Sequence, residues 1–222
     1  MEFRAAETLI LNNEEFMLML SAAGITEWYG MELGGDQSFA GSDVKFNACI
    51  AGLYGKGLIE WGKSKARISD KARPVFDVLR RAPVCIICSN TGEQGLDLGS
   101  YCYDGRVVLV ERSLMNDAEI KLTVMDADEW ISMFEKSGYF PEVMAAPAEM
   151  DAAHFVPENE DLISQFEVRS IPEGKLLEKL MLFDCGVYGM IIDNTTRNST
   201  RKMYSPDEMR SIIYSWAGGA SE

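Results

Sequence analysis

The chain has 222 residues, 47% of them hydrophobic, and a formal net charge of −14. That length suits one large or two small domains with a real core, and the composition excludes a disordered chain. The acidic balance argues against wholesale electrostatic binding to nucleic acid or to anionic membrane. No apolar run is long enough for a transmembrane helix, and Met1-Glu2-Phe3-Arg4 lacks the basic and apolar regions of a signal peptide, so a cytoplasmic location is expected.

Residues 9–24 read as a helix capped near Asn13, with Glu14 and Glu15 in its first turn and Gly24 as its stop. A second helix is predicted over 43–55, capped by Ser42 or Asp43, with Val44, Phe46, Cys49, Ile50, Leu53 and Tyr54 as its apolar face. A short hairpin follows, with strands at 58–61 and 66–68 around Gly62-Lys63-Ser64-Lys65. Ser69 or Asp70 opens a third helix that runs to about Arg81, and Pro83 follows it. Helix, helix, hairpin, helix is a winged-helix-like order, so residues 1–83 form one predicted segment.

From residue 84 to 222 the pattern is mostly strand, as a second unit or as part of one compact domain. Val84-Cys85-Ile86-Ile87-Cys88 is a short apolar strand, and Asp104-Gly105 is a hairpin turn ahead of Val107-Val108-Leu109-Val110. Ile120 to Val124 alternates apolar and polar residues, and Asp126 or Asp128 starts a helix that ends at Gly138. Residues 139–160, rich in Pro, Ala and acids, read as a long surface connection. Further strands are predicted at Leu180–Phe183, Val187–Asp193 and Arg201–Tyr204. Ser205 then caps a helix with Pro206 at its first position, running to Trp216.

Two stretches, about 101–138 and 180–219, share a pattern of turn, strands, helix and closing glycine. From Gly105 to Asp128 is 23 residues, and from Gly186 to Asp207 is 21. From those aspartates to Gly138 and Gly218 is 10 and 11. Two such units would pair into one pseudo-symmetric antiparallel sheet, which makes the expected class α+β.

The residues offer little chemistry. Cys85 and Cys88 form a CxxC, but residues three apart on a strand point to opposite faces, so their sulfurs do not converge on a metal. The cysteines number five, an odd count that suggests buried thiols rather than a disulfide framework. His154 is the only histidine and falls in the connection, so histidine-based catalysis would rest on that residue alone. Asn90-Thr91-Gly92-Glu93-Gln94-Gly95 lacks the spacing of a dinucleotide loop and the Lys of a P-loop, and reads as a hairpin turn. Asp126, Asp128 and Glu129 suit a helix N-terminus better than a metal site. No enzyme activity, cofactor or metal is expected.

Charge is unevenly spread. Residues 43–81 hold nine Lys or Arg against four acids, so this stretch carries +5 and the remainder −19. A basic winged-helix-like module could contact DNA through Lys45, Lys63, Lys65 and Arg67. Equally, its basic face could dock on the acidic remainder.

The order of elements resembles the EspG family, cytosolic chaperones of type VII secretion. The resemblance rests on Glu14-Glu15-Phe16-Met17-Leu18-Met19-Leu20, on Leu53-Tyr54-Gly55-Lys56-Gly57-Leu58-Ile59 and on the strand after Pro83. The second segment is similar to that family's L-x-x-R-G-L, with Lys56 where Arg is usual, and the chain is somewhat shorter than typical members. The resemblance implies a non-catalytic protein-binding chaperone for a small secreted helical-hairpin partner. It would place the contact on the loop 113–119 (Leu114, Met115 and Asn116) and on Met209 and Trp216 of the last helix. The alternative is a winged-helix DNA-binding regulator with a C-terminal sensing or dimerising part. The chaperone reading expects helix 43–55 to be buried and an apolar patch to be exposed at one end of the sheet, and the regulator reading expects a dimer with exposed basic side chains along that helix.

Overall fold

The computed structural model describes residues 8–29, 43–62, 65–91, 98–112, 119–142, 157–158, 161–171, 173–186, 188–195 and 199–218. In chain order the elements are β1 (Thr8–Asn12), α1 (Asn13–Ala22), α2 (Asp43–Gly55), β2 (Ile59–Trp61), β3 (Ala66–Ile68) and α3 (Arg73–Arg81). Then come β4 (Val84–Asn90), β5 (Leu98–Tyr103), β6 (Arg106–Arg112), β7 (Glu119–Asp126) and α4 (Ala127–Lys136). The chain closes with β8 (Leu162–Ser170), β9 (Leu176–Asp184), β10 (Gly189–Thr195), β11 (Ser199–Met203) and α5 (Pro206–Trp216). The fold is α+β, as expected.

Nine strands form one antiparallel sheet in the order β1-β7-β6-β5-β4-β8-β9-β10-β11, while β2 and β3 pair apart from it. Two meanders therefore meet in the middle, β4 to β7 ending in α4 and β8 to β11 ending in α5. Their seam pairs β4 with β8 from Val84↔Ser170 to Asn90↔Ser164, centred on Ile87↔Glu167. Local features repeat on both sides. Gly105 and Gly186 take φ of 72° and 80° in the turns, and Gly138 and Gly218 take 71° and 87° after the helices. Asp126 accepts the Glu129 N–H at one helix start, and Ser205 accepts the Glu208 N–H at the other.

Alternation along the strands sends side chains to two large cores and to a small third cluster of Phe183 and Met190. Cys85, Tyr101, Val108, Val110, Ile120 and Leu122 join Phe16, Met19, Leu53, Val75 and Phe76 on one face. Ile86, Cys88, Cys102, Val107, Leu109, Phe166, Leu180 and Ile191 join Trp130, Phe134, Met209 and Ile213 on the other. So α1 and α3 cover one face of the first meander, and α4 and α5 cover the opposite face. The unbroken apolar run Val107–Val110 follows from burial on both sides. In β8 only Ser164, Phe166 and Val168 are buried, in strict alternation.

Three expectations are corrected. The predicted helix at 9–24 begins as a strand: Leu9 and Leu11 alternate inward, and β1 pairs with β7 from Thr8↔Thr123 to Asn12↔Glu119. Asn12, not Asn13, is the cap, and it exchanges bonds with Glu15 at 2.7 and 2.9 Å. The third helix starts after Ala72, because the Ser69 hydroxyl donates to the Gly57 carbonyl at 2.8 Å and holds residues 69–72 in a turn. The predicted connection begins with buried residues: Tyr139, Phe140 and Pro141 pack inward.

Glu15 also ties α1 to α2. Its carboxylate is nearly buried and accepts the Lys56 ammonium at 2.5 Å, and that ammonium donates to the Ile10 carbonyl at 3.2 Å. Gly52 makes room for this, since a Cβ there would stand 2.6 Å from Glu15 Oε1. Alanine in a helix interior otherwise stabilises by about 0.5–1 kcal/mol over glycine. Gly52→Ala is therefore expected to lower stability in the native chain and to raise it in a Glu15→Ala background. Denaturant unfolding of the four variants measures that reversal.

Deep in the second core the Trp130 indole donates to Ser100 Oγ at 3.0 Å, and both residues are fully buried. Ser100→Ala leaves that N–H without its acceptor and is expected to cost about 1–3 kcal/mol in thermal or denaturant unfolding.

Candidate functional site

The most exposed apolar side chains of the described residues gather around α2. This helix is apolar on nearly all sides, and Asp43 and Lys45 are its only charged residues. An evenly apolar helix is ordinarily enclosed by protein. Here only Cys49 and Leu53 are buried. Val44 is 80% exposed, Tyr54 56% and Phe46 42%. The hairpin that follows adds Trp61, 62% exposed. Leu53 and Leu58 anchor the two elements from below, and the Leu58 N–H donates to the Leu53 carbonyl at 2.9 Å.

The backbone fixes this surface in place. The Glu15–Lys56 pair locks the C-terminal end of α2 against α1, and Gly57, at φ 68°, makes the turn that a side chain would strain. Solvent thus meets Val44, Asn47, Ala48, Ala51 and Tyr54, an uncharged surface on a chain of net charge −14. Neither expectation for helix 43–55 describes it: the helix is not buried, and its exposed side chains are mostly uncharged. Glu15 and Lys56, which bond to each other, fall in two of the three segments on which the resemblance rests.

The candidate nucleic-acid contacts belong to two elements, α2 and the hairpin. Lys45 is exposed on α2, and Lys65 is exposed in the hairpin. Arg67 is exposed but pairs with Glu60 at 3.1 Å. Lys63 lies outside the described residues, as do Leu114, Met115, Asn116 and His154. Met209 is fully buried and Trp216 is 8% exposed, so both are core side chains where the resemblance would place partner contacts.

Cys85 and Cys88 point into different cores, as strand geometry requires. Burial pushes the Cys85 and Cys49 thiols up to about 11. Thiols held protonated in this way are poor nucleophiles. Asp126 and Glu129 are occupied as a capping box. Among the described residues no group of three or more His, Cys, Asp or Glu is arranged to hold a metal ion, and no helix is long and apolar enough to cross a membrane. The chain matches no family model and no curated protein sequence.

Trp216 does have a polar role, since its indole donates to Glu178 Oε2 at 3.0 Å. Desolvation raises the Glu178 carboxyl above its ordinary range against the opposing effect of that bond, and nearby Asp193 adds to the rise. A carboxyl raised by folding binds its proton more tightly in the folded state, so stability falls as pH rises through the folded value. The cost persists at neutral pH. Glu178→Gln keeps an acceptor for the indole without the charge. It is expected to be more stable than the native chain near neutral pH, with the difference closing as pH falls below the ordinary carboxylate range. Thermal unfolding across that pH series measures it.

Proposed function

We propose that the chain is a non-catalytic protein-binding adaptor that presents the outer side of α2, with Trp61 beside it, to a helix of a partner protein. The observation that carries this reading is the mismatch between the sequence of α2 and its surroundings: an apolar helix, rigidly tied at its C-terminal end, with most of its circumference in solvent. Small side chains such as Ala48 and Ala51 let another helix approach closely, and Tyr54 and Trp61 are residue types that often anchor interfaces. The resemblance to the EspG family, cytosolic chaperones of type VII secretion, also implies a protein-binding role, but it places the contact on the loop 113–119 and the last helix rather than on α2. On that reading the partner is a small secreted helical protein.

A winged-helix regulator that binds DNA is the competing reading. The order α1, α2, hairpin, α3 and the +5 charge of residues 43–81 favour it. The Arg67–Glu60 pair and the uncharged outer side of α2 weigh against it.

Affinity capture from cells of the source organism, at low and at high salt, separates the two. An apolar helical interface survives high salt, whereas DNA recovered through phosphate contacts is lost. Val44→Glu combined with Trp61→Ala is expected to abolish capture of the protein partner, by more than about 30-fold in affinity, with the thermal unfolding midpoint unchanged. Capture that is indifferent to these substitutions, or that yields only salt-sensitive DNA, rejects the adaptor reading.

A further inference from the structure

A cleft of about 590 Å³ lies between α3 and the β5–β6 turn, away from the outer side of α2. Arg73, Asp77 and Arg81, spaced four apart along one side of α3, form one wall. Tyr103, Asp104 and Arg106 form the other. The second wall is held firmly. Asp104 and Gly105 both take positive φ, 53° and 72°, as a tight hairpin turn requires. The Gly105 N–H donates to the Ala217 carbonyl just past α5, at 3.1 Å.

Most of the charge in the α3 wall is already neutralised. Arg73 pairs with Asp70 at 2.8 Å, and Asp77 pairs with Arg80 at 3.1 Å. Arg81 and Arg106 differ. Arg81 lies over the Tyr103 ring at 5.6 Å, an arrangement that leaves the edge of its guanidinium open to accepting groups. Among the described residues, neither Arg81 nor Arg106 has a carboxylate within ion-pair distance. Two guanidiniums with open donors therefore line one cleft from opposite walls, with Asp104 as the one lining carboxylate outside the ion pairs of the described residues.

Guanidinium forks match the planar oxygens of a carboxylate and the oxygens of a phosphate, and charge-assisted bonds of this kind are about twice as strong as neutral ones. The cleft volume falls within the roughly 300–1,000 Å³ typical of small-molecule sites. We propose that this cleft binds a small organic anion, whose carboxylate or phosphate head bridges Arg81 and Arg106. This site is independent of the α2 surface and of the adaptor reading.

The test is calorimetric titration of the full chain at low ionic strength with three probes: succinate, inorganic phosphate and adenosine monophosphate. At least one probe is expected to saturate a single site. Saturation by succinate alone identifies a carboxylate head, and saturation by the two phosphate probes identifies a phosphate head. Arg106→Gln and Arg81→Gln are each expected to weaken that binding by about tenfold or more. Arg210→Gln, on α5 across the sheet, is expected to leave it unchanged. Arg106 is exposed at a turn, so its variant is expected to unfold at the native temperature, and Arg81→Gln repeats the test from the opposite wall. Failure of all three probes to saturate overturns the proposal. So does equal weakening by Arg210→Gln, which would show only attraction to positive charge in general.

Discussion

The antiparallel pairing of β4 with β8 joins two four-stranded meanders into one sheet, and the rest of the architecture hangs on it. Without that seam each meander would end in an open edge with a row of unpaired backbone groups. With it, Phe166 and Val168 stand beside Cys88 and Ile86, and the second core runs unbroken from Trp130 under α4 to Met209 under α5. Both helices lie on the same face because each follows the fourth strand of its meander through the same kind of capped start.

The opposite face is treated unequally. Over the first meander β1 extends the sheet beyond β7, and α1 and α3 close over Tyr101, Val108 and Leu122. Over the second meander the corresponding positions of β8, Gln165, Glu167 and Arg169, are polar and half-buried, and only a small apolar cluster of Phe183 and Met190 lies further out on β9 and β10. Glu167 there accepts Arg169 at 2.6 Å and Lys179 at 3.4 Å. Burial alone would raise the Glu167 carboxyl, but these two cations hold it below its ordinary range. Across the seam this face therefore changes from the core under α1 and α3 to the Glu167 ion pairs and then to the smaller Phe183–Met190 cluster.

Much of this was legible in the sequence where a local signal matched the outcome. The Asp104-Gly105 turn, the Ser205-Pro206 helix start and the glycines after both late helices act through nearby atoms, so the chain spells them directly. The repeat was visible for the same reason, though only from the turns onward. β8 went unnoticed because its buried residues, Ser164, Phe166 and Val168, alternate with Gln165, Glu167 and Arg169 and make no apolar run. β1 reads as helix because Leu9 and Leu11 run straight into the apolar turn of α1, and only a partner 109 to 115 residues away, from Leu11↔Ile120 outward to Thr8↔Thr123, makes them strand. The candidate surface on α2 was hidden by its own composition. An evenly apolar helix reads as core, and nothing in Val44 or Tyr54 announces that the protein leaves them in water. The anion cleft was hidden differently, since its walls come from residues 70–81 and 103–106, which meet only in three dimensions.

The seam has a further meaning in terms of symmetry. A four-stranded meander with one helix, paired to an identical copy along its first strand, builds this same arrangement as a homodimer. On the axis of such a dimer a residue must face itself. In this chain Ile87 faces Glu167, eighty residues further on, a pairing that two identical copies cannot make on that axis. One polypeptide thus leaves the two halves free to differ, one carrying an N-terminal cover and the other the Glu167 ion pairs beside the small Phe183–Met190 cluster.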